Sequence, residues 1–87
     1  MPAFSRFLRY FMAVGRLGSI RKAADDLNVS ASAIDRQILN VEADIGVALF
    51  ERLPTGLRLT AAGEIMMAAG AGWQKNMASV RAQIEDL

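Results

Sequence analysis

Leu8, Phe11, Val14 and Leu17 recur at helical spacing and form one apolar face. Arg6, Arg9 and Arg16 lie largely off that stripe, with Pro2 near the helix start and Phe4 or Ser5 in its first turn. Gly18 stops the helix as a left-handed cap. Ser19 then caps a short second helix, about Ile20 to Leu27, in which Ala23 and Ala24 let a neighbouring helix come close. Asn28 tolerates a left-handed turn, and Val29 points back toward the core. Ser30 opens a third helix ending at Gly46, with an inward stripe of Ile34, Ile38, Val41 and Ile45. Those four are expected to be core, which leaves Ala31, Ser32, Asp35 and Arg36 facing outward near its start.

From Phe50 the period changes. Phe50 to Leu53, a turn at Pro54-Thr55-Gly56, and Leu57 to Thr60 read as a short β-hairpin. Thr60 caps a last helix running to the chain end, about 27 residues or roughly 40 Å long. A domain this small cannot bury such a helix. Its apolar positions Met66, Trp73, Met77, Val80, Ile84 and Leu87 alternate by four and three, with Gly70 in the slot between Met66 and Trp73. A seam of that kind wants a partner helix, so a dimer is expected; the alternative is folding back onto its own core. Gly70 and Gly72 weaken the helix by up to about 1 kcal/mol each, or permit a close crossing, and Gly63 permits tight packing on the domain. The predicted architecture is mainly α, a winged helix-turn-helix over residues 1–60 followed by a linker helix over 61–87. Two helices joined by a short turn, the second with a polar N-terminal face, suit insertion of a helix into the DNA major groove.

Composition changes this picture little. The 87 residues form one domain, and the 53% hydrophobic fraction, rich in Ala and Met, suits helix-on-helix packing. With no Cys and no His, disulfides and thiol chemistry are excluded and a zinc site effectively so; no cofactor is expected. No apolar run is long enough for a bilayer and no leader pattern is visible, so no membrane partner is expected and the cytoplasm is the default compartment. The net charge of +1 is modest for a nucleic-acid binder. Its distribution says more, because Arg6, Arg9, Arg16, Arg21 and Lys22 all precede the first acid, Asp25. For Arg6, Arg9 and Arg16, ordinary solvation is the preferred account.

The ordered set of motifs resembles the N-terminal region of LysR-type transcriptional regulators. It runs from Phe7-Leu8-Arg9-Tyr10-Phe11 through Gly18-Ser19-Ile20 and Ala23-Ala24-x-x-Leu27-x-Val29-Ser30. It continues in Arg36-Gln37-Ile38-x-x-x-Glu42 and Ile45-Gly46-Val47-x-Leu49-Phe50-x-Arg52, and closes with Leu59-Thr60-x-Ala62-Gly63. The resemblance implies bacterial sequence-specific binding of double-stranded promoter DNA at a dyad-symmetric site, by a homodimer joined through the linker helix. The helix at about 31–45 would enter the major groove and the wing at 51–59 would meet the adjacent minor groove or backbone. Family members usually continue into a ligand-sensing domain, so no small-molecule effector site is expected within these residues.

Carried onto this chain, Ser30 and the amides of Ala31 and Ser32 suit a phosphate oxygen, and Ser19 with Arg21 offers a second phosphate clamp. Arg36 is placed to read guanine through O6 and N7. Arg52 and Arg58 flank the wing and suit a phosphate or the minor groove; ordinary solubility is their bland alternative. Three departures bear on this. Ala31-Ser32 replaces the family's common Gln-Pro, leaving at most an apolar contact such as a thymine methyl. Asp35 stands where Ser is usual; it is repelled by phosphates unless it accepts from cytosine N4 or orients Arg36. The wing tip Leu53-Pro54-Thr55-Gly56 lacks the basic residue often found there. A protein-interaction module without specific DNA binding is the second reading, favoured by Asp35 and the low net charge. An enzyme is the weakest, since the scattered Ser, Asp and Lys residues form no nucleophile-base pattern.

Overall fold

The computed structural model describes residues 2–87, with side-chain surroundings from Ser5 onward; the expectation for the Phe4 side chain lies outside that range. Four helices and one hairpin follow in the order α1 (Pro2–Leu17), α2 (Ile20–Leu27), α3 (Ala31–Ile45), β1 (Phe50–Leu53), β2 (Gly56–Leu59) and α4 (Ala61–Glu85). The boundaries follow the punctuation of the sequence. Gly18 and Gly46 adopt φ of 69° and 76°, and Asn28, at φ 57°, turns α2 toward α3. Ser19, Ser30 and Thr60 each accept from a backbone N–H in the first turn of the helix they precede. The hairpin is antiparallel, pairing Phe50 with Leu59 and Leu53 with Gly56 across a two-residue Pro54-Thr55 turn.

The core sits between α1, α2, α3 and the base of the wing. Phe7, Phe11, Val14, Ile34, Ile38 and Leu49 are almost wholly buried, each such side chain contributing about 1.5–3 kcal/mol relative to exposure. Phe11 lies at the centre, with ring centroids 5.5 Å from Phe7 and 5.1 Å from Phe50, so one side chain ties α1 to the first strand. The apolar face of α1 is wider than its predicted stripe, because Phe7, Tyr10 and Ala13 are buried alongside Leu8, Phe11 and Val14. A helix that contacts α2 and α3 on one side and α4 on another needs that extra breadth. Ala23 and Ala24, both buried, admit the close approach of α2.

One core expectation needs correction. Ile45 is 46% exposed, because the last turn of α3 runs past the edge of the domain before Gly46 ends it. Val41 is half-buried and packs against the core. The last helix also ends earlier than expected, at Glu85 after 25 residues. Its first turns pack on the domain because Gly63 lies against the Leu49 carbonyl and Gly70 against Leu8 and Met12. From Ala71 onward every residue is exposed, so α4 projects beyond the domain. No helix among the described residues is long and apolar enough to cross a membrane.

Candidate nucleic-acid interface

The turn between α2 and α3 fixes how α3 is presented. Val29 N–H donates to the Ala24 carbonyl at 3.1 Å, closing α2, and Ser30 then swings into extended backbone. The Ser30 Oγ accepts from Ala33 N–H at 3.2 Å and lies 3.3 Å from the Ser32 hydroxyl. The amides of Ala31 and Ser32 precede the first intrahelical donor, Ile34 N–H, which bonds the Ser30 carbonyl at 3.3 Å, and they stay available at a positive helix end. Ala31, Ser32 and Arg36 are exposed on one side of α3, while Ile34 and Ile38 hold the other side in the core. Arg36 makes no ion pair among the described residues. At the start of α2, the Ser19 Oγ accepts from Lys22 N–H at 3.1 Å, with Arg21 and Lys22 exposed beside it.

The wing is electrically quieter than its sequence suggests. Arg52 on β1 donates to Asp35 Oδ1 on α3 at 2.7 Å, and Arg58 on β2 donates to Glu51 Oε2 at 2.8 Å across the strand pair. The hydrogen bond that Arg58 donates to Glu51, and then the Glu51 charge, raise the Arg58 pKa above the ordinary guanidinium value. Asp35 is therefore engaged by Arg52 and not by its neighbour Arg36. Asp35 and Arg52 come together at the junction of helix and wing, with Arg36 next to Asp35 in the chain, whereas Arg58 faces Glu51. Among the described residues no cluster of acids could hold a metal ion.

Glu42 escaped the sequence reading as a working residue, though it belongs to the Arg36-to-Glu42 motif. Its Oε2 accepts from Leu49 N–H at 2.7 Å and Phe50 N–H at 3.2 Å, which ties the C-terminal half of α3 to the first strand. The available signal was a carboxylate beside the inward stripe at Ile38 and Val41, a place that requires a polar partner. Thr60 fastens the other side of the wing: its Oγ1 donates to the Ala48 carbonyl at 2.7 Å while accepting from Gly63 N–H at 3.0 Å. Leu57 N–H donates to the Gly18 carbonyl at 3.0 Å, joining the second strand to the α1–α2 turn.

Along α4 the expected seam divides. Met66 is half-buried and packs against its own domain's core, drawn there by the contact at Gly70. Trp73, Met77, Val80 and Ile84 are exposed at 45%, 61%, 41% and 62%, and Leu87 lies beyond the helix end. Trp73 and Met77 form an open groove with Ser5, Leu8 and Arg9 at the start of α1.

Comparison with known proteins agrees with this geometry. Residues 5–64 match the family described as bacterial regulatory helix-turn-helix protein, lysR family. The chain is 48% identical over 60 residues to the uncharacterized HTH-type transcriptional regulator y4mQ of Sinorhizobium fredii (strain NBRC 101917 / NGR234), covering 69% of this chain and 20% of that protein. It is 39% identical over 90 residues to the HTH-type transcriptional regulator TcbR of Pseudomonas sp. (strain P51), covering 94% of this chain and 31% of TcbR. It thus spans a third or less of the length of these relatives. Among solved structures, the CbnR_DBD–DNA complex matches with a TM-score of 0.82 at 36% identity, covering 94% of this chain and 97% of that one. The fold is thus a shared scaffold, and the chain is a member of the LysR family of bacterial regulatory helix-turn-helix proteins.

Proposed function

We propose that this chain binds double-stranded promoter DNA sequence-specifically, as a homodimer joined through α4, on a dyad-symmetric site. The observation that carries the reading is the start of α3. A Ser-capped helix end, amides at Ala31 and Ser32, and the guanidinium of Arg36, which has no ion partner among the described residues, are exposed in the first half of α3. Phosphate oxygens suit the helix end, and guanine O6 and N7 suit Arg36. Ser19, Arg21 and Lys22 supply a second group of phosphate donors at the start of α2. The similarity to a protein solved as a DNA complex, CbnR_DBD, supports the same reading. Residues 1–60 would carry the contacts and 61–87 the pairing.

Dimerisation is supported by the exposed apolar residues Met77, Val80 and Ile84, which lie on the part of α4 that projects beyond the domain. A second copy of α4 offers the same stripe, and the groove beside Leu8 and Trp73 has room for it.

Fluorescence anisotropy over a salt series, with promoter DNA and a random competitor, tests the proposal. Affinity should fall steeply as salt rises, through counterion release. Arg36→Ala should cost about 1–3 kcal/mol on specific sites and much less on random DNA. Equal losses on both would remove Arg36 as a base reader. Dimers that retain no DNA even at low salt would favour the protein-interaction module.

A further inference from the structure

We infer that Asp35 is a specificity-determining residue that reads a cytosine amino group in the major groove, with Arg52 as its positioning residue; this rests on the DNA-binding reading above. Asp35 lies four residues after Ala31 and three after Ser32, on the outward side of the N-terminal half of α3. Its Oδ1 accepts from Arg52 at 2.7 Å, and Oδ2 has no partner among the described residues. One oxygen is pinned by the wing, and the other is available beside Arg36.

A carboxylate only accepts hydrogen bonds. In the major groove the donors are the N4 amino group of cytosine and the N6 amino group of adenine. Adenine N6 is flanked by the acceptor N7, which repels the same carboxylate. Guanine presents N7 and O6, and thymine presents O4 and a methyl group, so neither offers a donor. Asp35 therefore accepts cytosine and rejects the other three bases. The rejection is the larger part of the effect, since specificity is built from repulsion as well as attraction.

Arg52 has two effects. It offsets the Asp35 charge next to phosphates, and it fixes the side chain's direction from a strand 17 residues away. An exposed pair of this kind, with side chains 43% and 36% accessible, contributes little to stability. Its consequence is orientation.

Selection of bound sites from a random DNA pool, using the 87-residue chain and its Asp35→Asn, Asp35→Ser and Arg52→Met variants, tests the inference, with circular dichroism checking that each variant folds. The unaltered chain should select a C·G pair at one position in each half-site, preferred about tenfold. Asp35→Asn should change that position to A·T and leave the rest of the site unchanged, because an amide pairs with adenine N6 and N7. Asp35→Ser should abolish the preference while tightening binding to random DNA. Arg52→Met should weaken the cytosine preference in a folded domain. If the unaltered chain retains no DNA, the DNA-binding reading itself fails. If it binds and the folded Asp35 variants select the same bases at every position, Asp35 is not a reader. An undiminished cytosine preference in Arg52→Met would overturn the positioning role alone.

Discussion

Replacing Glu42 with Ala should be among the most destabilising single changes at a partly exposed side chain of this domain. One carboxylate oxygen, Oε2, accepts from the backbone N–H groups of both Leu49 and Phe50, residues that are only 1% and 3% exposed. Removing it strands two donors at about 1–3 kcal/mol each. Because Glu42 itself is half-exposed, water reaches the gap in part, and the expected loss is about 2–4 kcal/mol. That is a large part of the roughly 4–13 kcal/mol typical of a domain of this length. Glu42→Gln separates charge from geometry. Both bonds end on the same oxygen, which the amide carbonyl reproduces, so this variant should lose only about 1 kcal/mol of charge assistance. Urea unfolding followed by far-UV circular dichroism measures both, at one fixed protein concentration so that association contributes equally. The same losses should lower Tm by about 4–8 °C per kcal/mol. An Ala variant within about 0.5 kcal/mol of the unaltered chain, or a Gln variant as damaged as Ala, would refute the reasoning.

Other changes should divide by what an added or removed atom meets. Gly63→Ala drives a Cβ into the Leu49 carbonyl, a backbone atom already accepting from Thr60 N–H, and should cost roughly 3 kcal/mol or more in urea melts. Gly15→Ala crowds the flexible end of Met67, with Leu59 at ordinary contact distance, and should stay within about 1 kcal/mol of the parent in the same assay, helped by better helix propensity. At Asn28, held at φ 57°, Gly should be near neutral while Ala should cost about 1 kcal/mol, read from the same melts. Ile84→Asp should shift the chain toward monomer in sedimentation equilibrium while leaving its helical circular dichroism intact, because Ile84 contacts no core of its own.

The fold was legible wherever one residue type answers one local geometric demand. Gly18, Asn28 and Gly46 mark left-handed turns, and the three hydroxyl caps mark helix starts, so the helix limits followed from local chemistry. Periodicity located the inward faces of α1 and α3 equally well. It failed at Ile45, because a helical stripe records which face is apolar and not where the neighbouring layer stops. It failed at Met66 for a related reason. A four-three seam is continuous along the sequence, but the glycine at position 70 lets α1 take the upper part of that seam for its own domain.

The charged side chains were the least legible, and the cause is range. Each Arg near the wing could be assigned to a phosphate on sequence alone, because its partner lies elsewhere in the chain. Arg58 meets Glu51 through the hairpin register, and Arg52 meets Asp35 only because α3 and β1 fold together. Once those pairs are drawn, the outward cations with no ion partner among the described residues on α2 and α3 are Arg21, Lys22 and Arg36. The wing then adds shape, orients the Asp35 carboxylate of α3 through Arg52, and adds little net positive charge. Phosphate attraction should therefore come chiefly from the two helix starts. If wing cations were instead the main source, neutralising Arg58 would lower the salt slope of DNA binding as much as neutralising Arg21. With Arg58 already engaged by Glu51, the Arg21 variant should show the larger loss.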